Sequence, residues 1–299
     1  MVQTTKPHDV RTGWAEWRTI VTPGQVLVML ALLIIFVIAA YPFFYVLSLA
    51  FMPYENFVTK PIHYGPSGFT LLYFQEIFRD PRLIGAFEVS VLRTVVGTTL
   101  NVLATMMAGY ALSRPNLKFG RLLTVLFLVP MFFGGGLIPY FLTVRAVGLL
   151  NTFWALVIPN LVSPFFLFIV RSYFLSYPQE IIEAAVMDGA GQFGIFWRVV
   201  WPTSLPMIAT IALLYGTGHW NEYFWSGILV QPGLQPAPVL LNSIMNNRSM
   251  LQGLGLGTQL TPQSFIAAVS ATLIIPVLVV YPFLQRYVVK GILVGSIKG

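Results

Sequence analysis

Cysteine is absent from the sequence, and charged residues occupy only 9% of its 299 positions. The lack of cysteine excludes a disulfide framework and any thiolate metal site. Ordinary soluble domains are about one quarter charged, so this chain has too few charges to cover a soluble surface. Because 57% of the residues are hydrophobic, we expect membrane lipid to be the main solvent. No region is large enough to carry a basic nucleic-acid-binding face, and no nucleic-acid partner is expected.

Catalytic motifs are also missing. The sequence has no G-x-x-x-x-G-K-[ST] loop to cradle the phosphates of ATP. Its three histidines, His8, His63 and His219, are scattered and lack the spacing of metal ligands. No nucleophile and base form a recognisable pair. We therefore predict no catalytic residues, no metal site and no cofactor bound directly by this chain, which is not expected to be an enzyme.

The apolar segments predict an all-α polytopic membrane protein with six transmembrane helices, each near the roughly 20 residues that cross a bilayer. The predicted spans are Val26–Leu49, Val89–Leu112, Leu122–Val144, Phe153–Phe174, Leu205–Val230 and Phe265–Val289. The first apolar run is too long for a cleaved signal. Residues 1–22 are expected to precede the membrane domain, residues 23–290 to form it, and residues 291–299 to follow it.

The basic residues predict an orientation. An even number of spans places both termini on one side, and eleven of the 17 lysines and arginines fall on that side. Basic residues favour the cytoplasmic side of a membrane. Both termini are therefore predicted to be cytoplasmic. In the first segment, Trp14 and Trp17 beside Arg11 and Arg18 fit either a short interfacial helix or a disordered tail.

Between spans four and five lies the stretch "EIIEAAVMDGAGQFGIFWRVVWPTSLP", which is rich in carboxylates for so uncharged a chain. Pro178 is predicted at the first helical position, with Ser176 or Tyr177 as the cap. Glycines at 189 and 191 should end this helix, and a second helix, residues 193–201, should stop at Pro202. This helix–turn–helix suits a docking site for another protein. The residues alone leave open a solvated linker whose acids balance Arg171 and Arg198.

The same stretch resembles the EAA loop of permease subunits in ABC importers. Glu-Ala-Ala, a glycine four residues later and a final proline all match, while Val199 and Trp201 replace the usual isoleucine and leucine. In that family the loop is the coupling helix that seats in a cytoplasmic ATPase. The resemblance assigns coupling, within the loop at 176–204, to Glu183, Ala184, Ala185, Asp188, Gly189, Ala190 and Pro202.

The resemblance covers nearly the whole chain. "GLLNTFWALVIP" and "QRYVVKGILVGSIKG" are similar to the carbohydrate-uptake branch. "MFFGGGLIPYFL" and "YGTGHWNEYFW" are similar to its oligo- and polysaccharide sub-branch, which includes alginate importers. This implies a type I permease fold in a bacterial inner membrane and a saccharide substrate. It also implies a second, non-identical permease, two ATPase subunits that bind ATP and Mg, and an extracytoplasmic solute-binding protein.

Polar residues in the fifth span form a second candidate site. Ionisable groups inside a membrane usually face a cavity or a partner, and aromatic rings can stack on sugars. The residues of this candidate substrate path or gate are His219, Trp220, Asn221, Glu222, Tyr223 and Trp225. A polar cluster that only fixes helix packing remains an open alternative. Arg93, at the outer end of span two, is expected to snorkel to the membrane surface.

Two further features concern substrate and mechanism. Residues 231–263 contain no acid, and with Arg145 and Arg248 they would suit an anionic saccharide, although so few charges could fall this way by chance. The run Gly134–Gly136 is expected to kink span three or allow a close backbone approach. The alternative function is an ion-coupled secondary transporter of a small polar solute. A single intramembrane glutamate and no visible repeat argue against it.

Overall fold

The computed structural model of the protein describes residues 23–59, 65–246 and 262–296. These residues form helices and no strands, as the all-α prediction requires. The N-terminal segment with its two tryptophans, Lys60, Arg248 and Lys298 lie outside the described residues. The α-helices are α1 (Pro23–Ala50), α2 (Tyr54–Thr59), α3 (Leu72–Ile77), α4 (Pro81–Ser113), α5 (Gly120–Phe132), α6 (Leu137–Ala146), α7 (Pro164–Leu175), α8 (Gln179–Met187), α9 (Gln192–Ile195), α10 (Trp201–Thr203), α11 (Leu205–Asn221), α12 (Phe224–Leu229), α13 (Ala237–Asn246) and α14 (Pro262–Ser296).

Three stretches of helix are long and apolar enough to cross a membrane alone, namely Gly24–Ala50, Pro81–Ser113 and Gln263–Val280. Two bent pairs also qualify: Phe153–Asn160 with α7, bent by 49°, and Gln192–Thr203 with α11, bent by 81°. The prediction of six spans is compatible with these helices when α5 and α6 together are taken as one more span.

The third predicted span, residues 122–144, consists of two helices separated by a break. The chain breaks after Phe132 and resumes at Leu137, and Gly136 at the break has φ of +80°. A left-handed backbone is easy only for glycine, so the glycine run creates the predicted kink. Nothing lies within 4 Å of the Cβ position at Gly134 or Gly136. The break therefore does not serve a close helix contact within the described chain.

Helix α4 is at the centre of the fold. It packs against α7 and α11, while α14 packs against α1 and α11. Gly109 allows the α4–α7 contact, because a Cβ there would lie 2.5 Å from Val170 Cγ1. Small residues of α14 face the interior, with Ala268 and Ala271 fully buried. The first half of α1 and nearly all of α5 remain exposed, which suits lipid or another subunit.

Candidate functional site

Two parts of the chain carry the candidate functional residues. We call residues 176–204 the docking segment. The polar network is a buried group of side chains at the contact of α4, α11 and α12, together with residues 153–163. Its members are Arg93, Asn101, Thr105, Tyr215, His219, Glu222 and Ser226.

The docking segment begins with α8, and Pro178 is its N-cap residue rather than its first helical residue. The helix ends at a glycine with φ of +78°. There the amide of Gly189 donates to Val186 O at 2.9 Å, and the amide of Ala190 donates to Ala185 O at 3.0 Å. This pair of bonds is a Schellman motif, which satisfies the last carbonyls of a helix. The predicted break at Gly189 is therefore present and has a definite backbone geometry.

The second helix of the docking segment is present and ends at Thr203, one residue beyond the predicted stop at Pro202. Helix continues from Gln192 to Thr203, with a π-helical turn over Phe196–Val200. Proline cannot donate a backbone hydrogen bond, so a carbonyl one turn earlier is freed. The hydroxyl of Thr203 donates to Val199 O at 2.7 Å and lies 3.1 Å from Val200 O. Val200 O also accepts from the Ser204 amide at 3.0 Å, so these contacts reinforce the last helical turn before the chain bends by 81° into α11.

One side of the docking segment is anchored to the spans. Ile182, Ile195 and Phe196 are buried in a cluster with residues of α4 and α7. The two ends of the segment are joined by a hydrogen bond of 2.7 Å between Tyr177 Oη and Thr203 Oγ1. The segment is therefore a folded unit held at its base.

The other side of the docking segment is open. Glu183, Ala184, Asp188, Gly189 and Pro202 are exposed, whereas Ala185 and Ala190 are half-buried against the anchoring cluster. Met187 beside them is 86% exposed.

The linker hypothesis required the acids of this segment to balance nearby arginines. Within the described chain, Glu180, Glu183 and Asp188 form no ion pair. Arg171 instead donates to Leu112 O at 3.1 Å. Arg171 is therefore not an ion-pair partner of these acids among the described side chains.

Arg93 does not snorkel, and that prediction is wrong. The residue is 5% exposed, and its Nη2 lies 3.0 Å from Glu222 Oε2. Its Nη1 donates to Ser226 Oγ at 2.8 Å and to Glu222 O at 3.2 Å. Its Nε approaches Leu156 O at 3.4 Å. Arg93 faces inward because the carboxylate of Glu222, from a distant part of the chain, lies beside it. The residues next to Arg93 in the sequence do not indicate this pairing.

Glu222 has a second role at a break in the helix. The fifth predicted span is interrupted between α11 and α12. The Glu222 carboxylate accepts hydrogen bonds from the amides of Trp225 and Ser226 at the start of α12 and from Ser226 Oγ. Free amides at a helix N-terminus need such an acceptor, and in lipid no water supplies it. Glu222 thus stabilises the break and the buried Arg93 together.

His219 and Trp220 are also held by the protein itself. His219 Nε2 lies 2.8 Å from Asn101 Oδ1, and Gly97 leaves room for the imidazole, since a Cβ there would lie 2.6 Å from Nε2. Trp220 Nε1 donates to Leu273 O of α14 at 2.9 Å.

The network also satisfies irregular backbone in the fourth predicted span. Asn101 Nδ2 donates to Asn160 O at 2.6 Å and to Leu161 O at 2.8 Å. Tyr215 Oη accepts from the Ser163 amide at 2.8 Å and shares a 2.8 Å hydrogen bond with Thr105. Non-helical backbone at membrane depth persists only when it is satisfied in this way. The sequence pattern does not indicate this role of Asn101 and Tyr215, because their backbone partners lie more than 50 residues away in the chain.

Asn221 and Tyr223 point away from the network. Asn221 is exposed and donates only to Thr217 O, one turn earlier, and Tyr223 is 47% exposed. Trp225 is half-buried, with its ring centroid 4.3 Å from that of Tyr140. The six residues predicted for a substrate path are therefore close together, but they divide into two sets. The inward set is His219, Trp220 and Glu222. The outward set is Asn221, Tyr223 and Trp225.

The described residues contain no group of three or more His, Asp or Glu side chains that could hold a metal ion. The chain has long apolar helices, and internal hydrogen bonds satisfy the backbone where two of the predicted spans are broken. Together with the exposed docking segment, these features define a polytopic membrane permease. Residues 100–294 match the family described as the binding-protein-dependent transport system inner membrane component. The chain belongs to this family.

Known proteins are similar to this chain over nearly its full length. The polygalacturonan/rhamnogalacturonan transport system permease protein YtcP of Bacillus subtilis is 37% identical over 90% of this chain and 96% of its own. Protein LplC of Bacillus subtilis is 35% identical over 86% and 89%. A crystal structure of a bacterial ABC transporter involved in the import of the acidic polysaccharide alginate contains a chain with a TM-score of 0.82 and 28% identity. That match covers 88% of this chain and 95% of the other.

These likenesses confirm the predicted fold class and the predicted role. The chain is the permease subunit of an ATP-driven ABC importer, a translocation subunit and not an enzyme.

Proposed function

We propose that this permease forms half of the path for an acidic oligo- or polysaccharide and is driven through its docking segment by cytoplasmic ATPases. Both termini and the docking segment lie on the cytoplasmic side in this proposal. The other half of the path comes from a second, non-identical permease, and a solute-binding protein delivers the saccharide from outside. ATP and Mg belong to the ATPase subunits.

The observation that carries the coupling role is the open face of the docking segment. An acidic, partly apolar surface is presented by a segment whose opposite side is fixed to α4 and α7. Carboxylates that form no ion pair with the described side chains suit basic or hydrogen-bonding groups on another subunit. A movement of this surface would be transmitted to α4 and α7, because the opposite side of the docking segment is packed against them.

Gly189 provides the test of coupling. Its φ of +78° is strained for any residue with a Cβ, although nothing lies within 4 Å to clash. Gly189→Val should therefore distort the end of α8 without disturbing packing, and it should abolish uptake while ATP hydrolysis by the assembled complex continues. Gly191→Val is the matched control, since Gly191 is equally open and has φ of −69°. Unchanged uptake in Gly189→Val would refute the coupling role.

For the substrate path, we propose that the outward set meets the saccharide and the inward set positions it. Thr217 and Gly218 precede Asn221 by four and three residues, and all three residues are exposed on α11. A polar stripe on a membrane helix normally faces water or another subunit. His219, Trp220 and Glu222 would hold this face in place from behind, and Tyr223 and Trp225 would supply aromatic surface.

The acidic nature of the substrate is supported by two similar proteins. One relative is named for polygalacturonan and rhamnogalacturonan, and the similar structure belongs to an importer of alginate. Saccharide-stimulated ATPase activity of the assembled complex tests this. Uronate oligosaccharides should stimulate it, and neutral glucans of the same length should not. Asn221→Leu should raise the saccharide concentration needed for half stimulation. Equal stimulation by neutral glucans would refute the proposed substrate class.

A further inference from the structure

A cleft of about 650 Å³ opens where the C-terminal end of α4 meets the docking segment. Met107 and Tyr110 of α4 line it on one side, and Gln179 and Phe193 of the docking segment line it on the other. Arg114, just after α4, also lines it. The cleft therefore combines apolar walls with one cation at the end of a membrane helix.

Two buried polar groups of this cleft lack hydrogen-bond partners within the described chain. They are the hydroxyl of Tyr110, a residue only 6% exposed, and Nε and Nη2 of Arg114. The guanidinium lies 4.2 Å from the centroid of the Tyr110 ring. Its one hydrogen bond there is a long contact of 3.4 Å from Nη1 to Gln179 Oε1. No described carboxylate pairs with it. Arg114 is half-buried and has no counter-charge among the described residues, so the cleft suits an anionic ligand.

We propose that the cleft binds an anionic phospholipid of the cytoplasmic leaflet. The phosphate lies beside the Tyr110 hydroxyl and replaces the weak contact between Arg114 and Gln179. An acyl chain follows the apolar wall formed by Met107 and Phe193, which are 41% and 69% exposed. A soluble phosphate ion would gain nothing from that wall. The leaflet assignment rests on the orientation in the proposed function.

The surrounding charge favours the same ligand. Residues 114–121 contain three basic residues and no acid, and Lys118 and Arg121 are exposed. Basic groups at the cytoplasmic membrane surface attract anionic headgroups. Because the cleft is bounded by Gln179 of α8 and Phe193 of α9, a bound lipid would brace the docking segment from the membrane side.

Lipid retention tests this proposal without requiring transport. The full-length chain with its co-purifying subunits is placed in nanodiscs of phosphatidylcholine and phosphatidylglycerol, and retained phosphatidylglycerol is counted by native mass spectrometry. Arg114→Gln should weaken retention about fivefold, the value for one basic contact at a membrane surface. Arg121→Gln removes the same charge outside the cleft and should have a smaller effect. Tyr110→Phe is a second variant that should also weaken retention.

Three results would overturn the proposal. Equal losses in Arg114→Gln and Arg121→Gln would show general surface attraction rather than a site. Unchanged retention in both Arg114→Gln and Tyr110→Phe would show that the cleft holds no lipid. Displacement of the lipid by inorganic phosphate would assign the cleft to a soluble anion. Since retention is measured apart from saccharide-stimulated ATPase activity, each proposal can fail alone.

Discussion

Removing one charge of the Arg93–Glu222 pair should destabilise the protein unequally, depending on which partner is removed. The Arg93 side chain is 6% exposed and that of Glu222 is 23% exposed. An arginine cannot lose its charge in a protein, whereas a glutamate can accept a proton. Glu222→Gln therefore leaves a permanent buried cation, and the expected cost is about 3–5 kcal/mol.

Arg93→Met should cost less. Glu222 keeps its bonds to the amides of Trp225 and Ser226 and to the Ser226 hydroxyl, which still compensate its charge. The expected cost is about 1–3 kcal/mol, for the lost hydrogen bonds. Urea unfolding of the purified protein in detergent gives both values. An equal or greater loss in Arg93→Met than in Glu222→Gln would refute this reasoning.

Three further predictions concern stability, measured in the same way. Gly97→Ala should cost about 1–3 kcal/mol, because the new Cβ would lie 2.6 Å from His219 Nε2 and must displace the imidazole. Tyr215→Phe should cost about 1–3 kcal/mol, since it leaves a backbone amide in the fourth span unpaired. Asp80 caps α4, and a side-chain hydrogen bond from Arg82 lowers the pKa of its carboxyl despite partial burial. The stability it adds is present above the ordinary carboxyl pKa and is lost as pH falls through the lowered pKa. Asp80→Ala should therefore cost about 1 kcal/mol at neutral pH and progressively less in acid.

Matched controls separate these effects from general sensitivity. Gly85→Ala lies in α4 with nothing within 4 Å of its Cβ and should be neutral or slightly stabilising. Tyr41→Phe removes a hydroxyl from an exposed ring and should change little. A loss in Gly85→Ala as large as in Gly97→Ala would contradict the packing argument. A pH-independent deficit in Asp80→Ala would contradict the linkage argument.

The parts of the fold that follow from local chemistry could be predicted from the sequence. Long apolar runs predict helices, because backbone groups in lipid must form their hydrogen bonds within the protein. The end of α8 at Gly189 follows from the freedom of glycine to adopt positive φ. The exposure of Glu183 and Asp188 fits the concentration of acid in an apolar chain.

Features that depend on distant partners could not be predicted. The burial of Arg93 requires a carboxylate 129 residues later in the chain, and no periodicity around Arg93 indicates it. The inward direction of His219 depends on the space left by Gly97 on another helix.

The hydrogen bond between Tyr177 and Thr203 has a mechanical consequence. It ties the end of the fourth span to the start of the fifth at the point where both leave the docking segment. A force applied to α8 would then tilt both spans together instead of prying them apart. If the docking segment couples as proposed, the two spans should move as one rigid body, and bending should occur at joints outside the docking segment, such as the glycine break between α5 and α6.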